Sequence, residues 1–448
     1  MPLKRLYQDN EKAFYWWIIL PLQSLLLTVM TAPMYGFSAL IEPINIAMGA
    51  ENPTNGLPGA LSGSLILLVS GAAAVFFGKL MKAFGGRTPF FIFLNIVMCV
   101  GFVLGALACH WQIYWLLLVG FALPVGFACA NIFMICVSFL LPWGRKYGHA
   151  GLSTGVYGML FGLWGAFYSF VGPILYEKVG VFWLLVGTGV VVAAIELLAL
   201  IFMVNPAAAA PQADPSSAPA PPSEPVLGIR QIMGIPTYWV FFVFLLLFLA
   251  PGFGFKIIVQ ALSKDVFHAT TTTASIMAVA FLATYGLSRL VFGILSDKIR
   301  LKPMYYLFGV VQAAALLIAA ITLPNLQGVA FFTVLMCIVG GMFAAGKCLF
   351  TLVCVHIYGP VNFATGITMV LPAYGLAGFI GPISLTYAMR SSDVVVTTSW
   401  WLYATSGVLL LCVVLFHLLR RVDYAKIASK DPQGLHLGLK ATSEFDRF

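Results

Sequence analysis

The stretch 283-ATYGLSRLVFGILSDKIRLK-302 decides the fold. It opens as an apolar run of helical character and ends in the polar SDKIRLK. One residue breaks the apolar pattern: Arg289, about two turns before Asp297. At about 1.5 Å per residue, Arg289 lies roughly 12 Å from Asp297, near the middle of a hydrocarbon layer about 30 Å thick. A charge at that depth costs roughly 3 kcal/mol on insertion scales. A chain that keeps one there is expected to turn it toward a protein interior or a water-filled path.

The rest of the chain places this stretch in a membrane. Of its 448 residues 61% are hydrophobic and only 9% are charged, against about 25% charged in an ordinary soluble domain. Apolar stretches long enough to cross a bilayer as helices recur at roughly 15–41, 58–83, 88–109, 113–141, 150–176, 181–204, 237–263, 271–295, 303–323, 328–357, 363–389 and 398–419. That is twelve spans. Lys4, Arg5 and Lys12 precede the first without a short apolar core and a small-residue cleavage site, so it reads as a retained helix rather than a secretory signal. Between the sixth and seventh spans the composition changes to 205-NPAAAAPQADPSSAPAPPSEPV-226, a Pro/Ala/Ser linker with nothing to pack. The expected organisation is a six-helix bundle at 1–204, a cytoplasmic linker at 205–236, a second six-helix bundle at 237–421 and a cytoplasmic tail at 422–448.

The net charge of +9 does not point to nucleic acid. With both termini cytoplasmic, Lys79, Lys82, Arg87, Arg145, Lys146, Lys298, Arg300, Lys302, Arg420 and Arg421 all fall on the inner side, as the positive-inside rule expects. The basic balance is topological, and the chain reads as a multi-pass protein of a bacterial inner membrane or plasma membrane. The eight cysteines fall within spans or at the edge of one, which suits packing better than disulfides. No His/Cys cluster has metal-ligand spacing, and neither a metal nor a cofactor is expected.

The halves echo each other. The loop 78-GKLMKAFGGR-87 follows the second span and 293-GILSDKIRLK-302 the eighth. Ser153-Thr154-Gly155 and Gly172-Pro173-Ile174 in the fifth span match Ala364-Thr365-Gly366 and Gly381-Pro382-Ile383 in the eleventh. An all-α membrane protein of two pseudo-symmetric bundles, with a site between them, is a transporter architecture. The glycines of the fifth and eleventh spans suit either rocking or static packing.

With these landmarks the chain resembles the major facilitator superfamily. Gly293, Asp297, Lys298 and Lys302 fit that family's loop signature, whereas the first-half copy has Lys82 where the acid is expected. The resemblance implies the major facilitator fold of twelve transmembrane helices, with Gly293, Asp297 and Lys298 in gating or structural roles. A narrower resemblance is to the oxalate/formate antiporters and monocarboxylate transporters. It rests on Gly286-Leu287-Ser288-Arg289, on Trp143-Gly144-Arg145-Lys146-Tyr147-Gly148, and on Tyr358-Gly359 with Asn362, Gly366, Tyr374-Gly375 and Ala377-Gly378. It implies that Arg289 binds a carboxylate. The oxalate/formate group also carries a lysine in its eleventh span; this chain has none there, and Lys347 in the tenth is the expected substitute.

The buried charges themselves point the same way. Lys347, in 340-GGMFAAGKCLFTL-352, lies roughly 16 Å from the inner surface at about 1.5 Å per residue, so the two cations share a depth. Of 15 acids only Glu196 falls within a span, with Glu42 at the edge of the first. Two midplane cations with so few partners favour an anion; Arg offers a planar fork for a carboxylate and Lys a point charge. The competing readings are a structural arginine bonded to backbone carbonyls and a lysine left neutral by burial. Tyr35, Tyr157, Tyr374 and Asn131 are candidates to shape the cavity, with helix packing an equal alternative for each. Lys256, placed near the outer end of the seventh span, is expected to snorkel.

Monocarboxylate symporters of the resembled group carry an aspartate one turn before the arginine, and here that position is Tyr285. Carboxylate exchange is therefore the preferred reading, proton-coupled symport the alternative, and a carboxylate sensor the third. No nucleophile–base pair suggests an enzyme. The partners implied are a small carboxylate and the lipid bilayer, with no nucleic acid and a monomer as the functional unit.

Overall fold

The structure, a computed structural model, describes residues 10–54, 56–203, 227–325 and 328–419. The linker core at 205–226 and the tail at 422–448 lie outside the described residues. Among the described residues every regular element is a helix. Ten are long and apolar enough to cross a membrane. In a bilayer each backbone N–H and C=O needs a partner within its own segment, which long helices provide.

We label the passes α1 (11–47), α2 (Leu57–Ala83), α3 (Arg87–Trp111), α4 (Tyr114–Gly144), α5 (151–179), α6 (181–202), α7 (Pro236–Phe267), α8 (Thr271–Ser296), α9 (Leu301–Asn325), α10 (Val329–Gly359), α11 (Val361–Met389) and α12 (Val394–His417). The run Gly151–Phe202 holds two passes because Gly180 takes φ 74° and ψ 171° inside it. Gly359 does the same between α10 and α11, at φ 68° and ψ 169°. Only glycine enters that region without strain, so each hairpin reverses on a single residue.

The first pass is broken rather than continuous, with Pro21, Pro33 and Pro43 along it and non-helical turns at Thr28 and Gly36. Each proline removes a backbone donor. These breaks and the merged hairpin explain why ten long helices make twelve passes. The linker differs from expectation at its end, where Ile229–Met233 forms a short helix. The Leu227 amide there donates to Asn362 Oδ1 at 2.7 Å, fastening the chain to the start of α11.

The surface is inside-out relative to a soluble protein. Trp183, Ile96, Val190 and Leu411 are exposed, while Glu196, Lys256, Arg289 and Lys347 are buried. Such a surface suits lipid, and the polar groups face the protein interior.

The first six passes meet the last six along two crossings, α5 against α8 and α2 against α11. These are the pairs that a duplication of the halves would exchange. At both, backbones touch: a Cβ added to Gly162 would stand 2.5 Å from Gly286 Cα, and one on Gly71 would stand 2.6 Å from Gly375 Cα. The glycine runs of α5 and α11 therefore form inter-half seams.

Contacts join the two halves at both ends. On the linker face, the Asp297 carboxylate accepts the Gly151 N–H at 2.9 Å and the Leu152 N–H at 3.2 Å, at the first turn of α5. Gly293 sits against Gly151 beside it, and Lys298 is exposed. On the far face, Lys264 pairs with Glu42 at 2.5 Å and the Thr54 hydroxyl donates to Asp265.

Candidate functional site

The centre of the molecule is built around one ring, Tyr35, carried at the break in α1. Lys347 of α10 donates to the Tyr35 hydroxyl at 2.8 Å and to the Tyr374 hydroxyl of α11 at 2.7 Å. Arg289 of α8 lies with Cζ 5.8 Å from the Tyr35 ring centre and 4.4 Å from that of Tyr285. Its Nη1 donates to the Gly158 carbonyl at 3.2 Å, and its Nη2 to the Tyr285 hydroxyl. Local sequence makes the room: a Cβ on Gly158 would stand 2.9 Å from Arg289 Cδ. The shared depth expected of Arg289 and Lys347 is thus a shared partner. Arg289 is 2% exposed and Lys347 4%.

A third cation joins them. Lys256 of α7 is 0% exposed, with Nζ 3.6 Å from the centre of the Tyr35 ring. It does not snorkel as expected. The reason is length: α7 continues to Phe267, past the expected end at 263, so Lys256 lies 11 residues from that end, about 16 Å in at 1.5 Å per residue. Among the described residues none of the three cations has a carboxylate partner, whereas Lys146 pairs with Glu11 and Lys264 with Glu42.

A cavity of about 30 Å³ adjoins Lys347, Tyr35 and Tyr374 and continues past Ser70, Cys129 and Phe350. Its size suits one or two waters; a carboxylate is admitted only when side chains or the halves move.

The structure brings Arg289, Lys347, Tyr35 and Tyr374 together; Lys347, Tyr35 and Tyr374 line the cavity, Arg289 stands behind the Tyr35 ring, and the other two candidates are off it. Asn131 turns to its own helix, its Nδ2 donating to the Phe127 carbonyl at 2.8 Å. On α4 it is Cys129, Ala130 and Phe133 that face the cavity. Tyr157 is buried with its ring 5.6 Å from Phe161, which in turn lies 5.7 Å from Tyr35, so it stands one ring back. Two residues were missed. Tyr285 stands where an acid is missing, and its spacing of one turn from Arg289 is the signal for a hydroxyl partner. Lys256 was readable as buried had the seventh span been extended through its last turn.

A broken helix beside seams of glycine, closed over a charged centre at mid-depth, is the arrangement of a secondary transporter. The family model described as Major Facilitator Superfamily matches residues 24–382 and, in a second match, 250–445. The chain belongs to the Major Facilitator Superfamily; it is a multi-pass membrane transporter and not an enzyme. Among solved structures, the human organic anion transporter MFSD10 (TETRAN) is similar, with a TM-score of 0.58 at 13% identity over 88% of this chain and 98% of that one. At that identity the likeness is one of fold. No curated protein matches the chain.

Proposed function

We propose that this transporter carries small organic anions, carboxylates such as oxalate, formate or lactate, by alternating access, and that it exchanges them. One observation carries the reading: Arg289 and Lys347 are buried together on Tyr35 with no carboxylate partner among the described residues. Arg is permanently charged and its fork matches a carboxylate. An anion supplies the charge the protein omits. The solved relative is named an organic anion transporter, which agrees in the sign of the cargo. Exchange follows from the same electrostatics, since the unloaded centre keeps its positive charge and resists reorienting through a low-dielectric barrier.

Proton-coupled symport is the alternative, and Glu196 is the observation that favours it. It is fully buried on α6, accepts the Met30 N–H at 3.3 Å at the break in α1, and its Oε2 has no hydrogen-bond partner among the described residues. Labelled oxalate, formate and lactate uptake into proteoliposomes separates the readings. Stimulation by internal carboxylate supports exchange, and acceleration by a pH gradient alone supports symport.

Two substitutions test the parts. Tyr35→Phe keeps the ring beneath Lys256 and removes one of the two hydroxyls that orient Lys347. It is expected to raise the half-saturating concentration about 5-fold, the effect of losing about 1 kcal/mol of hydrogen bonding. An unchanged value would count against a positioning role. The second concerns the linker-face contact, where Gly293, Asp297 and Lys298 are our proposed gate. The first turn of α5 presents free N–H groups and the positive end of its dipole to Asp297. Asp297→Asn keeps an acceptor oxygen but loses the charge, worth about 1 kcal/mol. In a variant retaining only Cys129, alkylation from the linker face is expected to quicken about 5-fold; no change would show that the closure does not depend on that charge.

A further inference from the structure

Resting on the carboxylate reading above, we infer that Lys256 is a further substrate ligand, which takes the second anionic group of a dicarboxylate and gives the site its preference for two-headed anions.

The inference starts from spare donors. An ammonium offers three N–H groups. Lys347 spends two of them on Tyr35 and Tyr374, whereas Lys256 Nζ has no hydrogen-bond partner among the described residues. The other unmatched cationic donor at this centre is Arg289 Nε. Lys256 is therefore the least satisfied charge in the site, and it is also the most deeply enclosed, at 0% exposure. The ring faces of Tyr35 and, at 5.5 Å, Phe253 attract it. That attraction offsets only part of the cost of holding an ammonium away from water.

Geometry makes the need a two-point one. Lys256 Nζ and Lys347 Nζ lie 3.6 and 4.8 Å from the centre of the same ring, which bounds their separation at the sum of the two. Lys256 stands over the ring, while Lys347 is bound at its hydroxyl. One carboxylate engaging Arg289 and Lys347 leaves Lys256 without a counter-charge. A second carboxylate on a short carbon chain supplies it. Lys256 sits on α7, Arg289 on α8 and Lys347 on α10, so the three cations that would hold such a ligand all belong to the second half and meet the first half at Tyr35 of α1.

The test compares wild type with Lys256→Met and Lys256→Arg in proteoliposomes, using malonate and succinate against formate and lactate. The methionine variant is expected to raise the half-saturating concentration for the dicarboxylates about 10-fold more than that for formate, which loses only the longer-range attraction of the charge, and the arginine variant to recover most of the loss. Equal losses for both classes would make Lys256 a packing residue and overturn the inference. Should the methionine variant not reach the membrane, competition decides on wild type alone. Malonate displacing labelled formate at lower concentration than lactate supports the inference, and the reverse order overturns it. Wild type that carries formate or lactate but ignores dicarboxylates sinks the role of Lys256 and leaves the carboxylate reading standing. Wild type that carries no organic anion removes both.

Discussion

Arg289→Ala is expected to lower organic-anion exchange about 100-fold, the equivalent of about 3 kcal/mol lost from a charge-assisted, two-point contact. The guanidinium is the one group of the three that stays charged under all conditions. It is held in place by the Gly158 carbonyl and the Tyr285 hydroxyl, with Nε left over. Those bonds position the fork without neutralising it, which is the arrangement a substrate ligand needs. Arg289→Lys keeps the charge but loses the planar fork, and is expected to recover about a tenth of the wild-type rate. Uptake per mole of reconstituted protein measures both, with thermal stability in detergent as the control for folding. If alanine leaves uptake intact, Arg289 is a structural residue bonded to a backbone carbonyl and the site lies elsewhere.

The second large effect is expected at the seams. Valine at Gly162 or at Gly71 inserts a branched side chain where backbone already stands 2.5 or 2.6 Å from the added Cβ. The neighbours are the Cα atoms of Gly286 and Gly375, not flexible side-chain ends, so relief requires the helices to part. Overpacking of this kind costs about 1–3 kcal/mol, and it falls on the closed state, in which the halves meet. Exchange is expected to drop about 10- to 100-fold while binding changes little. The split between binding and exchange is the readout. Equal loss of both would mean that the seams support the fold rather than the cycle.

Much of the fold was legible because lipid imposes it. Runs of apolar residues long enough to cross mark α2 to α4 and α7 to α12 within a few residues, and the paired Gly-Pro landmarks anticipate the two halves. The break in α1 was not legible, since Thr28 and Gly36 sit in an apolar run and only packing against α5 and α6 rewards their turns. The site was half legible. Arg289 and Lys347 stand out as charges at mid-span, and Tyr35 and Tyr374 as polar rings near them. Lys256 was hidden by a boundary placed four residues short of Phe267. The far-face pair of Lys264 and Glu42 joins residues 222 apart in sequence, and no local pattern announces such a contact.

The account rests on buried cations that the protein does not neutralise, and the direct measurement is calorimetric binding to the transporter in lipid nanodiscs. Wild type is expected to bind a short carboxylate with released heat, and the double variant Arg289→Ala, Lys347→Met to show none while remaining folded. Undiminished carboxylate binding by the double variant would contradict the account.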